Sequence, residues 1–271
     1  MANGEAAVEA ARFGATDRRD LWWVGPLATF LGLGGFVVYS TWSGLQAAHY
    51  AWGSYLSPFY SPLLFDAPGQ PPGHSWFGAW PGWWPGWLPA SPAILILIFP
   101  ASFRATCYYY RKAYYRSFFV SPVACAVTSL PRKGYGGETR FPFILQNLHR
   151  YTMFAALAFI VILWSDVVLA FTRHGPKDYV VGLGTLVLLA NTTLLSLYTF
   201  SCHSLRHLIG GHLDCFSTCA LVKAQHKAWQ AVSRLNEHHM LWAWLSLFMV
   251  GFSDLYVRLV SMGIWNDLKI L

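Results

Sequence analysis

Five stretches of this chain are apolar and long enough to cross a lipid bilayer, which removes most soluble folds from consideration. A spanning helix needs roughly 20 consecutive, mostly apolar residues. The segments are LWWVGPLATFLGLGGFVVYSTWSGL (21–45), a run from about Ala93 to Tyr110, YTMFAALAFIVILWSDVVLAF after His149, YVVGLGTLVLLANTTLLSLYTF (179–200) and MLWAWLSLFMVGFSDLYVRLV (240–260). Polar backbone groups in hydrocarbon must be satisfied within the segment. The expectation is therefore an all-α membrane protein, a bundle of five transmembrane helices. Charged residues make up only 11% of the 271-residue chain, well below the share in soluble domains. No cleavable signal is read at the start, because residues 1–20 mix acids with arginines and lack an apolar core.

Basic residues orient the bundle. Leu21 to Phe103 contains no lysine or arginine, whereas Arg104, Arg111, Lys112, Arg116, Arg132, Lys133, Arg140 and Arg150 crowd the next stretch. Arg206, Lys223, Lys227 and Arg234 fall between spans four and five. Cytoplasmic loops carry the excess of Lys and Arg. The reading is a cytoplasmic N-terminal segment over 1–20, then a single five-helix domain over 21–271 with its C-terminus outside. Basic inner loops lie at about 111–148 and 204–238. The net charge of +7 thus reports orientation, not nucleic-acid binding. The outer loop, about 46–92, contains HSWFGAWPGWWPGWLP (74–89). Its prolines and glycines forbid a long helix and its tryptophans suit an interface, so it reads as a membrane-hugging cap, with a ligand-binding lid as the alternative.

Chemistry concentrates in CHSLRHLIGGHLDCFSTC (202–219), with three cysteines and three histidines. Cys202, His203 and His207 are placed at the cytoplasmic end of span four, with Gly210-Gly211 breaking that helix and His212, Cys215 and Cys219 following. His149 opens span three and His238-His239 opens span five at the same level, while Cys107 and Cys125 also fall on the inner side. Thiols there stay reduced. Cys202, His203, His207, His212 and Cys215 are the candidate metal ligands, with His149, Cys219, His238 and His239 as reserves. Two thiolates with two imidazoles are the ligand set of a Rieske-type [2Fe–2S] centre, and also suit zinc. A b-type haem between His149 and His203 or His239 is the alternative, and interfacial histidines with packed thiols the plain structural reading.

ASFRATCYYYRKAYYRSFF (101–119), GGETRFPFILQNLHRYTMF (136–154) and CHSLRHLIGGH (202–212) together resemble the five-span membrane anchor of a bacterial succinate dehydrogenase / fumarate reductase complex. The resemblance implies a multi-pass protein of the bacterial plasma membrane that holds flavoprotein and iron–sulfur subunits on its inner face. It also implies transfer of electrons from succinate to a membrane quinone, menaquinone or ubiquinone, and allows a higher oligomer of the complex. No histidine lies within spans one and two, unlike the usual two-haem anchors. The chain shows no Gly-rich dinucleotide loop and no CxxCxxC run, so succinate chemistry is assigned to the partners, not to catalytic residues here.

A quinone needs an apolar slot with one or two polar groups. Arg104, Tyr108, Tyr109, Tyr110 and Arg111 offer these at the inner edge, and the same residues also fit an interfacial Tyr/Arg belt. The basic inner loops fit a docked partner or lipid headgroups. Asp166 and Asp254 sit toward the outer ends of spans three and five, as parts of a proton route or outer quinone site, or as wet or Arg-paired groups. A transporter would need broken repeats, and a histidine-box metal enzyme would favour His with carboxylate over thiols.

Overall fold

The computed structural model describes residues 13–70, 73, 75–129, 139–141, 143–172, 181–211, 213–217 and 219–270. Helices dominate: α1 (Val24–Gln46), α2 (Pro92–Thr106), α3 (Tyr108–Ala113), α4 (His149–Thr172), α5 (Leu183–Phe200), α6 (His203–Gly210), α7 (Ala220–Glu237) and α8 (His239–Ser261). A π-type turn, Tyr114–Phe118, follows α3, and a 3₁₀ turn, Phe143–Leu148, leads into α4. Two short antiparallel strands, β1 (Ala51–Trp52) and β2 (Tyr55–Leu56), form a hairpin.

Among the described residues, four apolar helical stretches are long enough to span: Val24–Gln46, Phe143–Thr172, Leu183–Phe200 and His239–Ser261. A fifth is reached if α2 and the helical run after it count as one broken span. The expected continuous span from Ala93 to Tyr110 is therefore corrected. Cys107 is extended (φ −65°, ψ 132°) and ends the α2 hydrogen-bond ladder. At 1.5 Å per residue, the 15 residues of α2 are too short alone for a hydrocarbon core of about 30 Å.

The chain forms two compact units. One comprises Met1–Gly35 and Ala105–Asn147, the other Phe36–Arg104 and Leu148–Leu271. In the first, residues after the N-terminus are clipped to a returning segment: Gly14 N–H donates to Thr128 O at 2.9 Å, and Thr16 Oγ1 to Ala126 O at 2.6 Å. Arg18 is bound to the Cys125 carbonyl at 2.9 Å and paired with Asp20. Phe30 and Phe118 add an aromatic contact of 5.0 Å.

The second unit is built on α4, α5 and α8. Small residues let these helices approach: Gly184, Thr185 and Ser196 are buried on α5, and Ala243, Ser246 and Ser253 on α8. Hydroxyls on these faces return to their own helices, as Ser196 does to the Thr192 carbonyl and Ser253 to that of Met249. No donor is thereby left facing hydrocarbon at those positions.

At the end of this unit where α8 finishes, the loop after α1 is part of the core. Tyr55 and Tyr60 have no exposed surface, and Phe59 and Leu63 are buried beside them. The loop after α1 is thus more than a membrane-hugging cap, although Trp83 and Trp87 further along it are 73% and 81% exposed. Gly184 is required because any Cβ would overlap the Tyr55 ring. The C-terminal strand-like segment pairs with the start of α5, through Leu183 N–H to Leu268 O and Ile270 N–H to Val181 O, both 2.8 Å. Asp267 receives Tyr55 OH at 2.8 Å, Tyr256 OH at 2.6 Å and the Gly184 N–H at 2.9 Å. Burial pushes the Tyr55 phenol up to about 12, so it stays a donor at neutral pH.

Asp254 is the hub of this end. Its carboxylate accepts from Tyr39 OH and Ser43 Oγ, both at 2.6 Å, and from Ser57 Oγ. Arg258, one turn on, lies 3.7 Å away and also binds Ser43 Oγ at 2.6 Å and Ala48 O at 3.1 Å. Its guanidinium stacks on Trp42. Of the readings open for Asp254, the Arg-paired one is what the fold realises. Breaking a buried pair on one side leaves an uncompensated charge. Asp254→Ala should therefore destabilise the protein by about 3–5 kcal/mol, and Ser57→Ala by about 1 kcal/mol. Thermal or denaturant unfolding in detergent checks both, and equal small effects would contradict the hub.

Candidate functional site

The opposite end of the second unit, where α4 and α8 begin and α5 finishes, gathers aromatic and histidine side chains. The α5 helix does not run on through Cys202 to His207 as expected. It ends at Phe200, Cys202 turns extended (φ −63°, ψ 135°), and α6 begins at His203. Gly210 and Gly211 mark the end of α6 instead, where a Cβ on either would press on Trp229 or His207. This break places Ser201 and Cys202 against two histidines on other helices. Ser201 Oγ lies 2.6 Å from His239 Nδ1, and Cys202 Sγ lies 3.2 Å from His149 Nε2. Asn236 Nδ2 donates to the Ser201 carbonyl at 2.7 Å and fixes the turn.

Ring stacking extends the cluster. His149 stacks on Phe103 at 4.7 Å, Phe103 meets Tyr198 at 5.4 Å, and Tyr198 stacks on His239 at 5.1 Å. Arg104 lies over the Tyr198 ring at 4.7 Å. Its Nη1 donates to the Ala243 carbonyl at 3.1 Å and its Nη2 to Ser246 Oγ at 2.9 Å, both on α8. A planar fork held at two points keeps little rotational freedom.

Next to this guanidinium is a cavity of about 140 Å³. Its walls are apolar, from Phe36, Leu97, Phe159, Ile160 and Leu195, and its polar groups include Arg104, Tyr198 and Thr199. Pro100 contributes a wall of α2 where the helix lacks an N–H. An apolar slot with a cation and a phenol at one side can hold a flat, neutral ring and donate to a carbonyl on it.

Of the residues expected to contact quinone, Arg104 lines this cavity. Tyr108, Tyr109, Tyr110 and Arg111 belong to the other compact unit. Tyr108 is exposed with Arg111 stacked on it at 4.4 Å, Tyr109 is partly exposed, and Tyr110 is buried. Tyr198 and Phe103 were not singled out from the sequence. The signal was available: Tyr198 lies four residues before Cys202, on the last turn of a span whose end was already under suspicion.

The expected ligands do not converge as a set. Cys202 is buried, whereas Cys215 and Cys219 are exposed, as are His203, His207 and His238. His212 lies outside the described residues. Among the described residues, no three His, Cys, Asp or Glu side chains are grouped so as to hold a metal ion. The pair the structure brings together is Cys202 with His149, one of the reserves. Phe103 and Tyr198 stack on the imidazoles of His149 and His239, and the His149 Nε2 faces the Cys202 thiol.

Comparison with known proteins bears on this arrangement. The profile of a family described as actinobacterial succinate dehydrogenase subunit SdhC matches residues 24–263. The chain belongs to this family. It also superposes on a chain of the Mycobacterium smegmatis Sdh1 complex in the apo form, with 43% identity, a TM-score of 0.83 and 98% coverage of each chain. No curated protein matches it significantly. The expected membrane-anchor subunit of succinate dehydrogenase is borne out, and with it a multi-pass plasma-membrane location for this SdhC-family chain.

Proposed function

We propose that this SdhC-family chain is the quinone-reducing anchor of a succinate:quinone oxidoreductase. Flavoprotein and iron–sulfur subunits would dock at its histidine end, where Arg206 and the lysines of α7 are concentrated. The observation that carries the reading is the clamped Arg104–Tyr198 pair at one side of an otherwise apolar cavity. A quinone ring lies between Phe36, Leu97, Phe159 and Leu195, with a carbonyl toward the guanidinium. Two electrons come from the iron–sulfur subunit and two protons from the aqueous side, giving quinol. As negative charge develops on the quinone oxygen, Arg104 stabilises it without reorganising, because its bonds to Ala243 and Ser246 are already made. Tyr198, which lines the same cavity, donates its OH to the same oxygen in this reading.

The test separates quinone chemistry from succinate chemistry. Arg104→Gln is expected to lower quinone-linked kcat/KM by about 10- to 100-fold, the worth of a hydrogen bond to a charged group. Tyr198→Phe should cost about 5-fold, the worth of a neutral one. Succinate oxidation with a dye that accepts electrons upstream should stay within twofold of wild type. Unchanged quinone reduction in both variants would sink the assignment.

The orientation read from charge, with the histidine end inside and five spans counting the broken one, is part of the same proposal. Cys215 offers a direct check. It is exposed, and hydrogen bonding from the Ser217 backbone and then its hydroxyl lowers its thiol pKa, which favours the thiolate form that maleimide attacks. A membrane-impermeant maleimide should label Cys215 in inside-out vesicles and not in right-side-out ones. The reverse pattern would invert the topology.

A second reading retains a Cys/His redox centre, favoured by the part-buried contact between Cys202 and His149 with His239 across the same turn. One thiolate and two imidazoles are one ligand short of a Rieske-type set. Low-temperature EPR of the dithionite-reduced complex decides it. A rhombic signal that Cys202→Ser and His149→Gln each abolish establishes the centre. With no signal beyond those of the partner subunits, the contact is a hydrogen bond that fixes the turn.

A further inference from the structure

His203 and His207 share one face of α6 without entering the aromatic cluster. Four residues apart, they line a groove of about 640 Å³ between α6 and the start of α4. Across from them is Arg150, with Ser204 between. Met153, Phe154 and Leu208 form the apolar part of the lining, and among the described residues no carboxylate lines it. The groove shares no lining residue with the Arg104 cavity.

We infer that this groove binds the phosphate head group of an anionic phospholipid, with an acyl chain continuing along α4. A phosphodiester carries one negative charge and presents acceptor oxygens. A guanidinium meets such a group with two parallel N–H bonds, and two imidazoles and a hydroxyl add donors from the opposite wall. A neutral quinone carbonyl needs far fewer donors than this. The choline head group of a zwitterionic lipid would instead want a carboxylate or an open aromatic face. Among the described residues the groove has no carboxylate, and its Tyr151 ring is already the partner of Arg150.

The apolar side settles on lipid over a soluble partner. Phe154, Val161 and Val168 follow one another at seven-residue spacing on α4, and all three are exposed, at 53%, 71% and 57%. They form a lipid-facing stripe on a helix long and apolar enough to span. The groove opens at the top of that stripe, so a head group held by Arg150 places its chain on Phe154 and below. Basic pockets at the edge of membrane helices are suited to anionic head groups for this reason.

The test uses the intact complex, stripped of lipid in detergent and followed by native mass spectrometry. It is titrated with dioctanoyl phosphatidylglycerol, with dioctanoyl phosphatidylcholine in parallel. Phosphatidylglycerol should fill one saturable site about tenfold more tightly than phosphatidylcholine, and Arg150→Gln should remove that preference. The double variant His203→Gln, His207→Gln should weaken it severalfold, while Lys223→Gln on α7 leaves it unchanged. Arg150 is exposed, so its variant is expected to fold even where the histidine pair does not tolerate change. Equal affinity for the two lipids, or undiminished preference in Arg150→Gln, would overturn the site. Binding of inorganic phosphate as strong as that of the lipid would make it a free-anion site and overturn the lipid assignment. Displacement of the lipid by a short-chain quinone would give the groove to quinone, with the same consequence.

Discussion

Hydrocarbon offers no hydrogen bonds, and nearly every distinctive feature of this chain follows from that. A helix satisfies its own backbone, but each polar side chain on it must find a partner within the protein. In the second unit this produces two polar centres, one at each end. Asp254 is surrounded by Tyr39, Ser43, Ser57 and Arg258, and ties α1, the following loop and α8 together. Arg104 is held by Ala243 and Ser246 and ties α2 to α8. Between them, hydroxyls fold back on their own helices. Asn191, midway along α5, is one exception, since neither its Nδ2 nor its Oδ1 has a hydrogen-bond partner among the described residues. Burying an unmet amide costs about 1–3 kcal/mol, and nothing in the structure explains it.

The two centres differ in what they can do. Asp254 has its acceptors filled and an opposite charge one turn away, so it behaves as a clamp. Arg104 stands beside a cavity with Tyr198 under its guanidinium, and a fixed cation next to empty apolar space is a place for a polarisable carbonyl. The same residue types thus give a closed clamp at one end and a cation facing a cavity at the other. The difference lies in whether the donors converge on a protein acceptor or face a cavity. Asp166 is a third case: it receives the Ser61 hydroxyl and lines a separate cavity with Ser54 and Ser75.

The break between α5 and α6 explains why the site was only half legible beforehand. Read as one continuous helix, span four would carry Cys202, His203 and His207 outward together, toward His212 and Cys215. With Cys202 extended, Ser201 and Cys202 turn inward onto His239 and His149, and His203 and His207 go to a different surface. Nothing in Phe-Ser-Cys-His announces such a turn, since neither glycine nor proline is present. Gly210-Gly211 drew attention to the wrong position. Similarly, Cys107 interrupts an apolar run that composition alone reads as continuous.

The sequence by itself determined the class of protein. Apolar segments of spanning length, separated by a basic stretch and a tryptophan-rich one, permit little besides a helical membrane protein, because the cost of unpaired backbone in lipid depends only on length and polarity. It also placed His149, Cys202 and His239 at one level, because helix length fixes the depth of each terminus. Which of those side chains meet was decided only by tertiary structure. Contact across helices depends on the rotation of each helix about its axis and on one-residue breaks in the ladder. Those follow from packing, such as Gly184 against Tyr55 and Phe103 between His149 and Tyr198, and leave no periodic mark on the chain.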